Sequence, residues 1–208
     1  MKGRPITGEE FDRMISNTAK VVGEADVADW QLLLWGLWWS GLRLGEALAL
    51  RWDQQPGGVC VILSGQKSVL SFDADSQKNG KVELVPLAPE AVELLEGIDQ
   101  RTGRVFPLAG GFTKVCRTIS AIGKAAGVIV DLERGKFASA HDLRRAFGLR
   151  WSRRVTPPVL KQLMRHGKIE TTLEYYAGQN AESTAEELWS ALGRTPAESS
   201  STEVKNTL

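Results

Sequence analysis

The spacing of apolar residues predicts helices in the first fifty residues. Thr7 followed by Glu10 forms a capping-box pattern ahead of an apolar run, so we expect a helix that begins near residue 7. Residues 25–40 are apolar on most sides, with four tryptophans among leucines, which is typical of a helix buried in a core. Ser40-Gly41 ends this helix, and helical spacing resumes over residues 42–50.

The pattern changes from helical to short and alternating between residues 59 and 86. Val59–Leu63, Val69–Asp73 and Val82–Pro86 are β-branched or alternating runs separated by turn-forming residues. Asn79-Gly80 is a dipeptide typical of tight hairpin turns. The sequence therefore predicts a small three-stranded antiparallel sheet.

Helical spacing returns at Pro89 and continues through the second half of the chain. The predicted helices are 89–97, 112–126, 140–152, 157–165, 169–177 and 182–192. Residues 194–208 are rich in Ser, Thr and Glu and lack periodicity, so we expect a disordered tail. These patterns predict a mostly α-helical α+β fold with one small sheet inserted early.

The distribution of charge changes this picture more than the composition does. The 208 residues are 42% hydrophobic with a net charge of +1, which is typical of a globular domain. Residues 101–168 carry 15 Lys/Arg against 3 Asp/Glu, whereas residues 1–100 carry 9 against 15 and residues 169–208 carry 2 against 7. The basic middle segment indicates either a phosphate-facing surface or a solvated, arginine-rich helical face.

Neither a membrane span nor a secretory signal is predicted. The most apolar stretch, residues 32–42, is shorter than the roughly 18–20 residues that cross a bilayer. Met1-Lys2 leads into acidic residues rather than an apolar run. Cys60 and Cys116 have no metal-type spacing, so we expect a reducing, cytoplasmic location.

Both histidines and both tyrosines of the chain fall within residues 141–176. His141 and Arg144 are three positions apart and would project from the same face of a helix. The pair offers an imidazole and a guanidinium fork to one anion, which suits a phosphodiester. An ordinary helix-surface pair is the alternative.

Two further cations lie in the first half of the chain. Arg43 sits in an apolar helical stretch, where burial of a guanidinium is costly without a partner or a bound anion. An ion pair with Glu46 and a bound phosphate would each offset that cost, and the two are compatible. Lys78 lies in the predicted hairpin turn, either as an ordinary exposed lysine or within reach of a ligand.

Four motifs together resemble those of the tyrosine recombinase (phage integrase) family. They are Gly41–Trp52 around Arg43, Gln77–Lys81 with Val85-Pro86-Leu87 around Lys78, His141–Arg144, and Met164–Tyr175 with His166. Nine positions separate His166 from Tyr175, which matches the family's spacing and favours Tyr175 over Tyr176 as the family's tyrosine. The resemblance covers about residues 5–180 of the sequence.

The resemblance implies a site-specific recombinase that cleaves and rejoins DNA through a 3′-phosphotyrosyl intermediate. The catalytic residues that it implies are Arg43, Lys78, His141, Arg144, His166 and Tyr175. Tyr175 would be the nucleophile, the two arginines would clamp the phosphate, and Lys78 would protonate the departing 5′-oxygen. The second histidine would donate a hydrogen bond to the phosphate, and the first would assist proton transfer or position the site.

The sequence departs from the family pattern at three points. Arg165 stands where the family usually has glycine, and Arg145 stands where another histidine is frequent. We expect the chain to lack the family's separate N-terminal core-binding domain and to form a catalytic domain over residues 1–193, followed by the tail. The residues expected to bind DNA outside the catalytic set are Arg145, Arg153, Arg154 and Arg165.

Metal catalysis is the competing chemistry, and it needs several carboxylates that converge on the ions. The basic segment offers only Asp131, Glu133 and Asp142, and Asp142 should face away from the side of His141 and Arg144. We therefore expect a metal-free mechanism without a cofactor.

The expected partners are double-stranded DNA and other protomers, as a tetramer on DNA or with the chain acting alone as a monomer, and no membrane. Two other functions stay open. One is a catalytically idle DNA-binding module of the same fold, and the other is a monomeric, topoisomerase-like nicking-closing enzyme. The six-residue set argues against the idle module, because a pure binder needs no tyrosine at a fixed spacing.

Overall fold

The first three helices form the amino-terminal part of the fold. The computed structural model describes residues 3–77 and 80–177. In it α1 spans Gly8–Val22, α2 spans Val27–Ser40 and α3 spans Leu44–Ala49. The hydroxyl of Thr7 accepts a hydrogen bond from the Glu10 amide, and the Glu10 carboxylate accepts one from the Thr7 amide. The predicted start of α1 is confirmed.

The tryptophan-rich helix α2 lies in the core, as its apolar composition predicts. Leu33, Leu34 and Leu37 are fully buried. The ring of Phe11 in α1 stacks on that of Trp38, with the centroids 4.3 Å apart. Helix α1 also packs against α5 (Phe112–Ala125), and α2 packs against α6 (Ala140–Ser152). Helix α2 therefore connects the amino-terminal helices with α6 in the second half of the chain.

The sheet differs from the prediction. It contains four strands in the described residues, β1 (Leu50–Arg51), β2 (Val59–Ile62), β3 (Val69–Phe72) and β4 (Glu83–Pro86). Strands β2, β3 and β4 are antiparallel, whereas β1 pairs in parallel with β2. The expectation of three antiparallel strands was wrong, because β1 has only two residues and continues the apolar pattern of α3.

The remaining elements are mostly the predicted helices. They are α4 (Pro89–Glu96), α5 (Phe112–Ala125), β5 (Ile129–Asp131), β6 (Lys136–Phe137), α6 (Ala140–Ser152), α7 (Pro157–Leu163) and α8 (Ile169–Leu173). The hairpin β5–β6 was not predicted, because strands of three and two residues leave no alternation to detect. Lys78, Asn79, the predicted helix 182–192 and the predicted tail 194–208 lie outside the described residues.

Two apolar clusters hold these elements together. The main one runs from Ile6 in the amino-terminal segment to Ala146 in α6. The second is small, with Phe147, Leu160 and Met164 as its buried members and both tyrosines packed against it. Within residues 3–77 and 80–177, no helix is long and apolar enough to cross a membrane. The observed architecture is thus a mostly helical α+β fold with a small mixed sheet.

Candidate active site

Arg144 lies at the centre of the site, on the first turns of α6. The capping box of Ser139 and Asp142 begins this helix. The guanidinium is 5% exposed and donates hydrogen bonds to the main-chain carbonyls of Gly41 and Met164. Burial, followed by the charge of Arg43, lowers the pKa of Arg144 to about 10. The side chain therefore stays cationic at neutral pH.

Arg43 lies beside it at the amino-terminal cap of α3. The sequence suggested a buried guanidinium, but the side chain is 48% exposed because the residue precedes the helix and faces an open cavity. Glu46 accepts hydrogen bonds from the Arg43 main-chain amide at 2.9 Å and from its Nη1 at 2.8 Å. Its Nη2 donates to the carbonyl of Arg165 at 3.0 Å. The predicted ion pair with Glu46 is confirmed.

The turn between α7 and α8 receives hydrogen bonds from both arginines. The amide of Arg165 donates to the carbonyl of Gln162, and that of His166 donates to Lys161, which together form a Schellman motif at the end of α7. Arg165 has a φ of 49°, the left-handed conformation that this motif requires. An L-residue other than glycine loses about 1 kcal/mol in this conformation. The turn fixes the main chain of His166 beside Arg43 and Arg144.

The imidazole of His166 is held from the opposite side by α8. Its Nδ1 lies 2.9 Å from the hydroxyl of Thr172, a residue that is fully buried. Partial burial, followed by the positive charges of Arg144 and Arg43, lowers the pKa of His166 to about 4. The ring is therefore neutral at physiological pH in the absence of an anion.

Tyr175 packs against the same turn. Its ring is nearly parallel to that of His166, with the centroids 6.1 Å apart. Gly148 makes room for the phenol, since a Cβ at that position would lie 2.6 Å from Cε1 of the tyrosine. Burial raises the pKa of Tyr175, and the charge of Arg144 opposes that shift. The hydroxyl of Tyr176 instead donates to the carbonyl of Val155 at 2.5 Å, away from the two arginines.

Two open cavities meet at Arg43. One, of about 640 Å³, is also lined by Gln77, Arg165 and His166. The other, of about 560 Å³, extends past Arg144 to His141 at the start of α6. Partial burial and the charge of Arg145 lower the pKa of His141. The structure thus brings His166 and Arg43 together in one cavity and His141, Arg144 and Arg43 in the other, with Tyr175 packed against the ring of His166.

The other predicted residues lie elsewhere or are differently engaged. The guanidinium of Arg145 is buried and donates to the carboxylate of Asp142 and to the carbonyl of Gly3, both at 2.7 Å. A contact with DNA would break these bonds, so we do not carry Arg145 into the proposed interface. Arg153 and Arg154 are exposed at the far end of α6, about 13 Å along the helix axis from Arg144. Lys78 lies outside the described residues, although its neighbour Gln77 lines the larger cavity.

Arg165 also differs from its predicted role as a DNA contact. Its side chain is only 13% exposed and is bound by Glu46, Glu83 and Gln77. Sequence reasoning missed the roles of Glu83, Gln77, Thr172 and Gly148. The contacts of Glu83, Gln77 and Gly148 join segments far apart in the chain, and that of Thr172 with His166 depends on how the turn before α8 folds.

The carboxylates of the basic segment do not form a metal site. Asp142 is fully buried against Ser139 and Arg145, so it faces away from the cavities as predicted. Asp131 pairs with Arg134 in the β5–β6 hairpin. In the part of the chain that the structure describes, no group of three or more His, Cys, Asp or Glu residues is arranged to hold a metal ion.

Known proteins share this fold. A family model described as the phage integrase family matches residues 4–183. The fold is similar to that of XerA recombinase, with a TM-score of 0.58 and 19% identity over 91% of this chain and 63% of that one. It is also similar to the catalytic domain of bacteriophage HP1 integrase, with a TM-score of 0.59 and 18% identity over 92% of this chain and 98% of that one.

A third similar structure is a lambda integrase dimer bound to a COC′ core site. It has a TM-score of 0.60 and 17% identity over 82% of this chain and 61% of that one. The chain thus spans less than two thirds of the XerA and lambda structures, but nearly the whole of the HP1 catalytic domain. A sequence search of curated proteins returned no match.

Proposed function

The chain belongs to the phage integrase family, and on that premise we propose that it is a site-specific DNA recombinase. It cleaves double-stranded DNA, holds the cut end as a 3′-phosphotyrosyl ester and rejoins it to a 5′-hydroxyl. The proposed catalytic residues are Arg43, Lys78, His141, Arg144, His166 and Tyr175. We assign residues 1–193 to the catalytic domain, and we propose that the protein acts in the cytoplasm.

The reaction requires no external energy source. The phenolic oxygen of Tyr175 forms a bond to the scissile phosphorus as the bond from phosphorus to the 5′-oxygen breaks. The phenol loses its proton, with His141 assisting the transfer, and Lys78 gives a proton to the departing 5′-oxygen. Because the phosphotyrosyl ester retains the energy of the broken bond, a 5′-hydroxyl reverses the step and reseals the strand.

The two arginines supply the electrostatic part of catalysis. Arg43 and Arg144 donate to the nonbridging oxygens and offset the negative charge that builds up at phosphorus. In the tautomer that serves this step, the hydroxyl of Thr172 donates to Nδ1 of His166, 2.9 Å away, and the neutral ring donates its Nε2 proton in a hydrogen bond to the same phosphate. Removal of one such donor costs an enzyme about 10²–10³ in rate.

The observation that carries the proposal is the placement of a buried, cationic Arg144 beside the phenol. This guanidinium is bound by two neutral carbonyls rather than a carboxylate, so its charge remains available to an anion. Arg43 donates to the carbonyl of Arg165 in the turn between α7 and α8. The imidazole of His166, the next residue of that turn, contacts Thr172 in α8. A phosphodiester carries the complementary charge, which supports DNA as the substrate.

DNA and other protomers are the proposed partners. The exposed Arg153 and Arg154 at the end of α6 would contact phosphates beyond the site and position the duplex. The similar structures include recombinases bound to DNA and a dimer on a core site, which supports assembly of several protomers on one duplex.

Covalent trapping tests the proposal. The probe is a pool of nicked duplexes with randomised sequence around the nick. After cleavage the short fragment diffuses away from the duplex, and its loss prevents resealing. We expect the full chain to form an adduct that survives denaturing electrophoresis in excess EDTA, and Tyr175→Phe to form none. The matched control is Tyr176→Phe, which removes the neighbouring hydroxyl and should retain the adduct.

Each outcome separates the candidate functions. No adduct from the wild-type chain, with DNA binding intact, would support the catalytically idle module. Loss of the adduct in Tyr176→Phe would show that the nucleophile is misassigned, and its loss in EDTA would contradict the metal-free mechanism. Mixtures of Tyr175→Phe and Lys78→Ala chains that regain activity would show that protomers cooperate, whereas activity of single chains would support the nicking-closing enzyme.

A further inference from the structure

Arg165 makes contacts that neither the fold nor the proposed chemistry requires. It ends α7 in a left-handed conformation, where glycine would be free of strain. Its side chain does not extend into solvent. The guanidinium lies over the ring of Phe72 in β3, with Cζ 3.5 Å from the ring centroid.

Three hydrogen bonds spread the guanidinium across separate segments. Nη1 donates to Glu46 in α3 at 2.6 Å, and Nε donates to Glu83 in β4 at 2.8 Å. Nη2 donates to Gln77 at 2.8 Å, in the segment directly before Lys78. One side chain therefore ties the α7–α8 turn to α3 and to both sides of the β3–β4 connection.

The same residue is linked to Arg43 twice. The carboxylate oxygen of Glu46 that accepts from Arg165 also accepts from Arg43, and the carbonyl of Arg165 accepts from Nη2 of Arg43. The orientation of the Arg43 guanidinium is therefore set by partners that Arg165 holds or provides.

We propose that Arg165 is a positioning residue, which holds Arg43 and the segment before Lys78 in register with His166, and that it does not bind DNA. This inference rests on the proposed function. The charge of Arg165 is offset by Glu46 and Glu83, and three of the five N–H donors of its guanidinium are occupied by side-chain oxygens. A phosphate would have to displace those partners to bind it.

Arg165→Gly distinguishes a positioning side chain from a residue that only shapes the turn, because the two roles predict opposite effects on the rate. If only the turn mattered, glycine would relieve the left-handed strain and leave the rate equal or higher. If the guanidinium positions the site, the rate of adduct formation falls by about 100-fold, as a displacement of about 1 Å in a catalytic group would cause. Arg165→Lys keeps the charge but loses the fork, so we expect it to lose most of this rate as well.

Binding measurements distinguish a positioning residue from a DNA contact. We expect the DNA affinity of Arg165→Gly and its dependence on salt to equal those of the wild type. A lost phosphate contact would instead lower the slope of log K against log[salt] by about one. Arg153→Gln is the matched comparison, since it removes an exposed arginine that we propose as a phosphate contact, and it should lower that slope. A changed slope in Arg165→Gly would overturn the proposal.

A second variant tests the same contacts through the adduct rate, and a second measurement, amide hydrogen exchange, is independent of activity. Glu83→Gln should lower the adduct rate, and the double variant with Arg165→Gly should lose no more than Arg165→Gly alone. Amide hydrogen exchange of residues 80–85 should rise in Arg165→Gly, in a protein that is otherwise folded. Unchanged exchange there would overturn the inference even if the wild-type chain forms no adduct, an outcome that would count against the proposed function alone.

Discussion

Arg144 and Arg145 are adjacent in the sequence and both buried, yet they serve opposite sides of α6. Arg144 donates to the carbonyls of Gly41 and Met164 on the side of the cavities. Arg145 donates to the carboxylate of Asp142 and to the carbonyl of Gly3 on the side of the amino-terminal segment. The first arginine keeps its net charge, and the second is neutralised by its partner.

This difference between Arg144 and Arg145 shows that burial alone does not identify a binding residue. Both guanidinia are satisfied by hydrogen bonds, as buried polar groups must be. Carbonyl partners leave a positive potential at the cavity, whereas a carboxylate removes it. We therefore expect substitutions at Arg144 to affect chemistry and substitutions at Arg145 to affect stability, and the predictions below test that division.

Arg144→Lys should give the largest effect. Lysine keeps the charge, but its single ammonium cannot bridge the two carbonyls and also reach a phosphate. We expect the rate of adduct formation to fall by about 10²–10³-fold, measured by covalent trapping at saturating DNA. A rate within a few-fold of the wild type would show that charge without the fork suffices.

Arg145→Met should act on folding instead. It leaves the carboxylate of Asp142 fully buried without its ion-pair partner, which costs about 3–5 kcal/mol in the free energy of unfolding. Chemical denaturation measures the loss, and the double variant with Asp142→Asn should recover part of it. Folded Arg145→Met should retain nearly wild-type adduct formation, and a loss as large as that of Arg144→Lys would erase the proposed division.

Gly148→Ala extends the test to the packing of the phenol. The new methyl group would lie 2.6 Å from Cε1 of Tyr175 and 2.7 Å from Sδ of Met164, so the ring must move. We expect roughly 10–100-fold slower adduct formation, with unchanged DNA affinity. Gly8→Ala is the matched control, since no atom lies within 4 Å of its added methyl group.

The smallest expected effect is on pH dependence, and it differs between the two sides of α6. The pKa of His166 falls from 6.5 to about 4 on folding, so the unfolded chain binds more protons between these values. Its contribution to stability is complete above about pH 6.5 and declines as the pH falls towards 4, with His141 acting in the same direction. His166→Gln should flatten the free energy of unfolding in this range.

The amino-terminal side should respond only at lower pH. The hydrogen bond from Arg4 lowers the pKa of Glu10 from 4.5 to about 2, so its contribution is present above 4.5 and is lost as the pH falls towards 2. Unfolding curves of Glu10→Gln and His166→Gln should therefore differ from the wild type in separate pH ranges. A loss of slope in the same range for both variants would contradict the assignment.

Local patterns predicted most of the elements and fewer of the contacts. The capping box of α1 and the tryptophans of α2 act within one or two turns, so the sequence alone indicates them. Strand β1 depends on pairing with β2, several residues later in the chain, and has no periodicity of its own. The opposite directions of Arg144 and Arg145 follow from partners at Gly41 and Gly3, which no spacing along α6 records.

The sequence indicated candidate site residues but not the contacts that surround them. The motifs indicated Arg43, His166 and Tyr175, and their roles stay predictions until covalent trapping is done. The exposure of Arg43 follows from its position before α3, and the burial of the Arg165 guanidinium depends partly on Glu83, which lies outside the motifs.

The turn that carries Tyr175 rests on the smaller of the two apolar clusters, where Phe147, Leu160 and Met164 are the buried members. Because the free energy of local opening grows with the apolar area that opening exposes, this end of the domain detaches at a lower cost than the main core. Among the described residues, a protease should therefore cut first between α7 and Ala177 while residues 3–77 and the elements up to α6 stay intact. On the proposed function, this low cost of local opening would let the phenol of Tyr175 approach a DNA strand and withdraw from it while the main core stays folded.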